Sequence, residues 1–375
     1  MGRALLALRR MAVAVLRSQP ALLAALAVAG LTTAALLVAH GAEASLHVAT
    51  ELLGADIVVV PVGAEAAVAN GLLFGTPVLA RMPADTPERI AAIPGVAAAS
   101  PALLLSCPMR GAECTVPGMF LVAYDPATDF SLRPFLGRSL PGGPTPGGAV
   151  GGSALVLPPG EEAILVYGCP LRLVGSLPPT GTNLDQSLFF TFETAHRVAS
   201  DSFLSSAWPP PVPLTHISMV TVRVRVGSDA QAVAAEVRRR VPWAAPVSSA
   251  DLFARFRQRA RTLRQGIRLP LALAGLLLGA FVVLPRRIPA EAHPNERALS
   301  ALAGGGLGVA LGCVAATLGG GPIAAHLGLP FLPPPLPLRL LLAGCGAAVA
   351  LAAARFAAPR QAMPPASSTP FASDG

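Results

Sequence analysis

The chain has 375 residues, of which only 13% are charged and 53% are hydrophobic, and its mean hydropathy is +0.60. That charge is about half the usual share, too little to cover a soluble protein of this size, so part of the chain is expected to face lipid. All 28 Lys+Arg residues are arginine, which excludes P-loop ATPases, kinases, pyridoxal phosphate enzymes and class I aldolases, each built on a lysine amine.

Residues 1–19 place Leu5, Leu8, Met11 and Val15 at helical spacing beside Arg3, Arg9, Arg10 and Arg17, an amphipathic segment. Pro20 to Ala39 follows without a charge, about the 20 residues a spanning helix needs. A cleaved signal peptide ending at Ala42-Glu43-Ala44 is the alternative, but the apolar run is longer than a signal core. Four arginines precede this span and none follows until Arg81. The positive-inside rule therefore places the N-terminus in the cytoplasm and residues 41–248 outside.

Residues 41–248 read as mixed α and β. Ala55 to Pro61 is a β-branched run, hence a buried strand. Ala64 to Asn70 reads as a short helix, and Thr86-Pro87-Glu88 opens another with Thr86 at the cap. Leu121 to Tyr124, Leu171 to Val174 and Ser187 to Phe190 are strand candidates. Ser218 to Val226 alternates valines with polar residues. A helix, Asp229 to Arg240, and a strand, Ala244 to Val247, follow. Strands and helices in series suggest α+β layers, and Pro141 to Gly152 reads as a loop. Thr180-Gly181-Thr182-Asn183-Leu184-Asp185-Gln186 is polar enough to suggest an active site, but its residue types build turns and it is expected to be structural.

Residues 249–268 form an expected stalk helix, with Ser249 as cap and Leu252, Phe256, Ala260, Leu263 and Ile267 on one face. Further spans are expected at 269–285, 298–318 and 338–357. They are separated by a short cytoplasmic loop, 286–297, and an external loop, 319–337, and a Pro- and Ser-rich tail, 358–375, has the composition of disorder. Arg255, Arg257, Arg259, Arg261, Arg264 and Arg268 crowd the outer side of the second span, against the positive-inside trend, although long domains translocate regardless of charge.

Catalytic motifs are missing. There is no CxxC, HExxH or Gly-x-Ser-x-Gly, so no catalytic, cofactor or metal residues are assigned and no enzyme activity is expected. Cys107 and Cys114 enclose six residues with a Pro and a Gly. Such a loop can close into a bridge in an oxidising compartment, and the sequence leaves that pairing open. The pI of 10.4 does not imply nucleic acid, because the arginines flank membrane and stalk and only 5% of residues are aromatic.

Several segments carry a resemblance. They are Gly54 to Pro61 after the first span, Ile93-Pro94-Gly95-Val96 with Ser100-Pro101, Tyr124-Asp125-Pro126-Ala127-Thr128-Asp129-Phe130, and Tyr167-Gly168 with Leu173-Val174-Gly175 and Thr180 to Ser187. Together with the order of one span, exported domain and three spans, they resemble the FtsX/MacB-type ABC transporter permeases. The resemblance implies a membrane α-helical protein, with four transmembrane helices and a large extracytoplasmic α+β domain inserted between helices 1 and 2. It implies a bacterial inner-membrane location, both termini cytoplasmic, a homodimer, an ABC ATPase bound in trans that alone binds ATP, and a periplasmic adaptor as a further partner. The Cys107–Cys114 region also matches a place where that bacterial subgroup carries cysteines.

One departure bears on coupling. Family members carry a docking helix for the ATPase between spans two and three, whereas residues 286–297 hold Pro289 and Pro294, and an interior proline costs ~3 kcal/mol. ATPase contact is then expected at Arg9 and Arg10, with Arg286, Arg287, Glu296 and Arg297 as further candidates; Glu296-Arg297-Ala298-Leu299 reads equally as a remnant of the docking helix or as the start of the third span. The alternative is an uncoupled membrane-anchored scaffold that binds an envelope partner.

Overall fold

The computed structural model describes residues 19–108, 113–136, 144, 146–157, 160–205, 215–283 and 294–357. Arg9, Arg10, Arg286, Arg287 and the tail 358–375 lie outside the described residues. Of the expected loop Pro141 to Gly152, residues 141–143 and 145 do too, whereas Gly148–Gly151 form a strand rather than a loop.

Helix α1 spans Gln19–Leu53, past the expected end of the first span at Ala39. Nothing in Gly41 to Leu53 breaks it. Val38, Ala42, Leu46, Ala49 and Leu52 recur every three or four residues and are all buried, a core-facing stripe. Gly54, at φ +57°, supplies the left-handed residue on which helices commonly end.

In chain order the domain then contains β1 (Ile57–Pro61), α2 (Glu65–Phe74), β2 (Met82–Pro83), α3 (Thr86–Ala91), β3 (Val96–Ser106), β4 (Phe120–Tyr124) and α4 (Arg133–Leu136). After these come β5 (Gly148–Gly151), β6 (Ala163–Val166), β7 (Cys169–Ser176), β8 (Leu188–Thr191), α5 (Phe192–Ser205), β9 (His216–Ile217), β10 (Met219–Val224), α6 (Ala230–Arg240), β11 (Ala244–Ser248) and α7 (Ser249–Leu252). Asp85, not Thr86, occupies the cap of α3. Thr86 is buried, and its hydroxyl instead accepts a 3.2 Å hydrogen bond from the Trp243 indole. Asp229 caps α6 as a short acidic side chain does, its carboxylate accepting from the Gln231 N–H at 2.9 Å.

Nine strands form one sheet in the order β11-β1-β10-β3-β4-β8-β5-β7-β6, while β2 and β9 pair separately. The β4–β8 and β5–β7 pairs are parallel and the others antiparallel. Both faces are covered. Val58, Val60, Leu104, Val122 and Phe189 join α1 and α2 in one core. The alternate residues Leu103, Leu121, Leu188 and Phe190 pack on the other side with α5, and Ile57, Val59, Val220 and Val222 pack there with α3 and α6. The expected polar face of β10 is buried in part: Thr221 is enclosed, and its hydroxyl donates to the Ser100 carbonyl at 3.3 Å, while Arg223 toward the end of the strand is exposed.

Three long helices follow: α8 (Ala254–Val283), α9 (Pro294–His326) and α10 (Leu336–Ala357). Among the described residues, Leu22–Leu53, Ala301–His326 and Leu336–Ala353 are long and apolar enough to cross a membrane. The expected second span falls in α8, where most side chains after Gly266 lie outside the described residues. Helix α9 also outruns its expected end at Leu318, continuing through Gly319, Gly320, Gly321 and Pro322.

The chain divides into two compact units, residues 1–35, 266–316 and 335–375, and residues 36–265 and 317–334. In the first, glycines set the helix approach. A Cβ at Gly304 or Gly308 would run into the Leu22 or Leu26 carbonyl, and one at Gly312 would lie 2.5 Å from the Gly30 carbonyl. On another side of α9, Gly306 meets Gly346 of α10 as closely. Small residues permit such contact where no hydrophobic drive exists between helices in lipid.

Candidate functional site: the junction at the 180–186 turn

The Thr180 to Gln186 segment is a rigid turn, as its residue types predict. Its last four residues, Asn183–Gln186, form one 3-10 turn. The Asp185 carboxylate folds the segment back on itself. One oxygen accepts from the Thr180 N–H at 2.7 Å and the Thr180 hydroxyl at 2.9 Å, and the other accepts from the Gly181 N–H at 2.8 Å. Hydrogen bonds to an ionised acceptor are stronger than neutral ones. The Thr182 hydroxyl accepts from the Leu184 N–H, and the two threonine hydroxyls are 2.7 Å apart.

Three distant segments of the second unit dock here. From α1, the Ser45 hydroxyl donates to the Thr180 carbonyl. From the loop after α9, the Phe331 N–H donates to the Gly181 carbonyl at 2.9 Å, while the next N–H, of Leu332, donates to the Gly41 carbonyl at 3.1 Å. From α2, Gly75 (φ +71°) sits against the Asn183 side chain.

Phe331 is the wedge among them. A Cβ at Gly41 would lie 2.5 Å from its ring, a Cβ at Gly320 equally close, and one at Gly181 (φ +70°) would meet its backbone at 2.5 Å. Two glycines from separate parts of the chain thus make room for one aromatic ring, and a third, Gly181, for the backbone that carries it. Glycine is the residue that allows such close backbone approach.

The first turns of α8 complete the junction. Phe256 packs on Phe74 with centroids 5.6 Å apart, Ala260 is fully buried, and Arg264 bridges to Glu43 of α1 at 3.0 Å. Of the other arginines of this segment, Arg255, Arg259 and Arg261 are exposed, and Arg257, half-buried, donates to the Ala250 carbonyl. Helix bounds of α1, α8 and α9 all run across the division between the two units.

Of the residues singled out by sequence, the structure joins Cys107 to Cys114 in a disulfide. The bridged loop clasps the β6–β7 hairpin. The Cys114 sulfur accepts from the Tyr167 N–H, the Tyr167 hydroxyl donates to the Ser106 carbonyl at 2.6 Å, and Thr115 exchanges hydrogen bonds with Leu165. Tyr167 and Gly168 both have positive φ, the geometry of a tight hairpin turn. Burial, with the nearby Glu113 charge, pushes the Tyr167 hydroxyl up to about 12. Glu296 and Arg297 lie in the first turn of α9, so the expected docking remnant is the start of a long helix rather than a separate element. Among the described residues no three His, Cys, Asp or Glu side chains are grouped as metal ligands would be.

Sequence reasoning missed Ser45, Gly41 and Phe331. The periodic signal for Ser45 was present, since the apolar stripe of α1 continues unbroken to Leu53.

No protein-family model matches the chain, and no curated protein matches it. Among solved structures, the chain is similar to the crystal structure of the periplasmic region of MacB from Actinobacillus actinomycetemcomitans. Identity is 10% and the TM-score is 0.35, over 57% of this chain and 94% of that one.

Proposed function

We propose that the chain is the membrane subunit of an ABC-type transporter, carrying motion from a separate ATPase to its own α+β domain. In this reading four helices cross a bacterial inner membrane, both termini are cytoplasmic, residues 41–248 are outside, and two copies act as a dimer. The ATPase supplies all ATP binding and hydrolysis, this chain is no enzyme, and a periplasmic adaptor is a further partner.

The observation that carries the reading is the junction. Ser45 and Gly41 of α1, Phe331 beyond α9 and Arg264 of α8 are held on or around one stiff turn that leads into β8. A displacement of α1 or of the segment beyond α9 strains hydrogen bonds at the turn, α8 acts on it through the Arg264–Glu43 pair, and a close-packed interior passes strain on rather than absorbing it. The segments that resemble FtsX/MacB-type permeases, Thr180 to Ser187 among them, support the same reading. Pro289 and Pro294 favour the second reading, a scaffold without ATPase coupling.

Reporter fusions at Gly142 and at the C-terminus test the arrangement. The proposal requires the first outside and the second inside; finding both on one side removes it.

A further inference from the structure

The face of the sheet beneath α1 holds a cavity of about 50 Å³, partly open to solvent. Its wall is mainly apolar, with Leu52 and Leu53 from the end of α1, Leu184 from the turn and Phe189 from β8. Tyr124 also lines it. That residue is only 3% exposed, and its hydroxyl is buried with no hydrogen-bond partner.

Neighbouring polar groups are already engaged. The Asp129 carboxylate accepts from the Ser131 N–H and hydroxyl through one oxygen, and from the Leu132 and Arg133 N–H groups through the other. The Ser100 carbonyl accepts from Thr221. Folding thus keeps a hydroxyl unsatisfied where phenylalanine would avoid the penalty, since a buried polar group without a partner opposes stability. Native structures rarely retain such a group without a reason. Burial and the Asp129 charge raise the Tyr124 pKa, so the hydroxyl stays protonated and is available as a donor.

We propose that this cavity binds a small uncharged molecule, an apolar body of one or two carbons carrying one oxygen that accepts from Tyr124. Size limits the ligand: a cavity of about 150 Å³ accommodates benzene, whereas a water needs roughly 10–15 Å³, so a space of about 50 Å³ suits an alcohol of one or two carbons. Charge limits it as well. Asp129 repels an anion, and its carboxylate is already bonded to four donors, leaving little to offset the dehydration of a cation. The occupant would rest on the end of α1 and on Leu184 together, so its binding is linked to the order of the junction.

The test uses the full chain in lipid nanodiscs, with ethanol as the probe and saturation-transfer NMR as the readout, after subtraction of empty discs. A saturable signal is expected in the unmodified protein. It should fall at least fivefold in Tyr124→Phe, and also in Ala102→Leu, which adds bulk to the cavity wall from β3 while leaving the tyrosine in place. Tyr124→Phe alone should melt at the same or a higher temperature. Equal signals in the unmodified protein and Tyr124→Phe overturn the proposal. So does a melting point several degrees lower in Tyr124→Phe, because the hydroxyl would then be satisfied within the empty protein. If Ala102→Leu does not fold, Tyr124→Phe decides alone.

Discussion

The Ser45 hydroxyl donates a 2.8 Å hydrogen bond to the Thr180 carbonyl across 135 positions of sequence, and both residues are buried. The bond fastens the long first helix to the turn that the Phe331 segment also pairs with through its backbone. Ser45→Ala would leave that carbonyl without its donor, at ~1–3 kcal/mol for a buried unsatisfied group. Denaturant unfolding of the full chain should show this loss. A change below about 0.3 kcal/mol would mean that water replaces the serine and the bond does not fasten the helix.

Gly41 and Phe331 should be energetically coupled. Gly41→Ala places a methyl group in the space of the Phe331 ring, and overpacking of this kind costs about 1–3 kcal/mol. Phe331→Ala removes the ring, so Gly41→Ala should do less harm in that background. A double-mutant cycle measures the difference, expected above about 0.5 kcal/mol for residues in contact. Additive effects would show that the ring moves aside freely.

Alkaline titration should follow unfolding rather than the folded protein. The chain has two tyrosines, Tyr124 and Tyr167, and the pKa of each is raised, mainly by burial. The sign follows directly. An acid whose folded pKa lies above its unfolded value of 10.0 releases its proton more readily when unfolded. Stability is therefore full below pH 10 and falls as pH rises through about 12. Tyrosinate absorbance at pH 10.5 should be far below the half-ionised level, then rise together with loss of far-ultraviolet helix signal. Ionisation of both residues near pH 10 with the fold intact would show them to be solvated.

Local patterns made much of the fold legible. The β-branched runs of β1 and β10 and the cap of α6 are local signals, and they lie within a residue or two of their expected places. Strand β3 was not readable: Val96 to Ser106 is rich in alanine and contains Pro101, yet the strand is central, with Pro101 opposite Val220 of β10. Strand β5, Gly148–Gly151, has two glycines and almost no side chain to show a period. At the junction the turn chemistry of Thr180 to Gln186 was visible as turn chemistry. Its partners were not: Ser45 lies on the apolar stripe of α1, but that period names no partner, and Phe331 reaches the turn only through tertiary packing.

The central claim is coupling to an ATPase, and affinity purification of the full chain from its own membranes tests it most directly. A protein with a Walker A motif should co-purify. Replacing Arg9 and Arg10 by glutamate should lower its recovery at least as much as replacing Arg286 and Arg287, since facing like charges across an interface cost several kcal/mol. The comparison uses only variants that insert with unchanged topology, because these arginines also orient the first span. If no such ATPase co-purifies with the unmodified protein under any nucleotide condition, the account is contradicted and the chain is a scaffold.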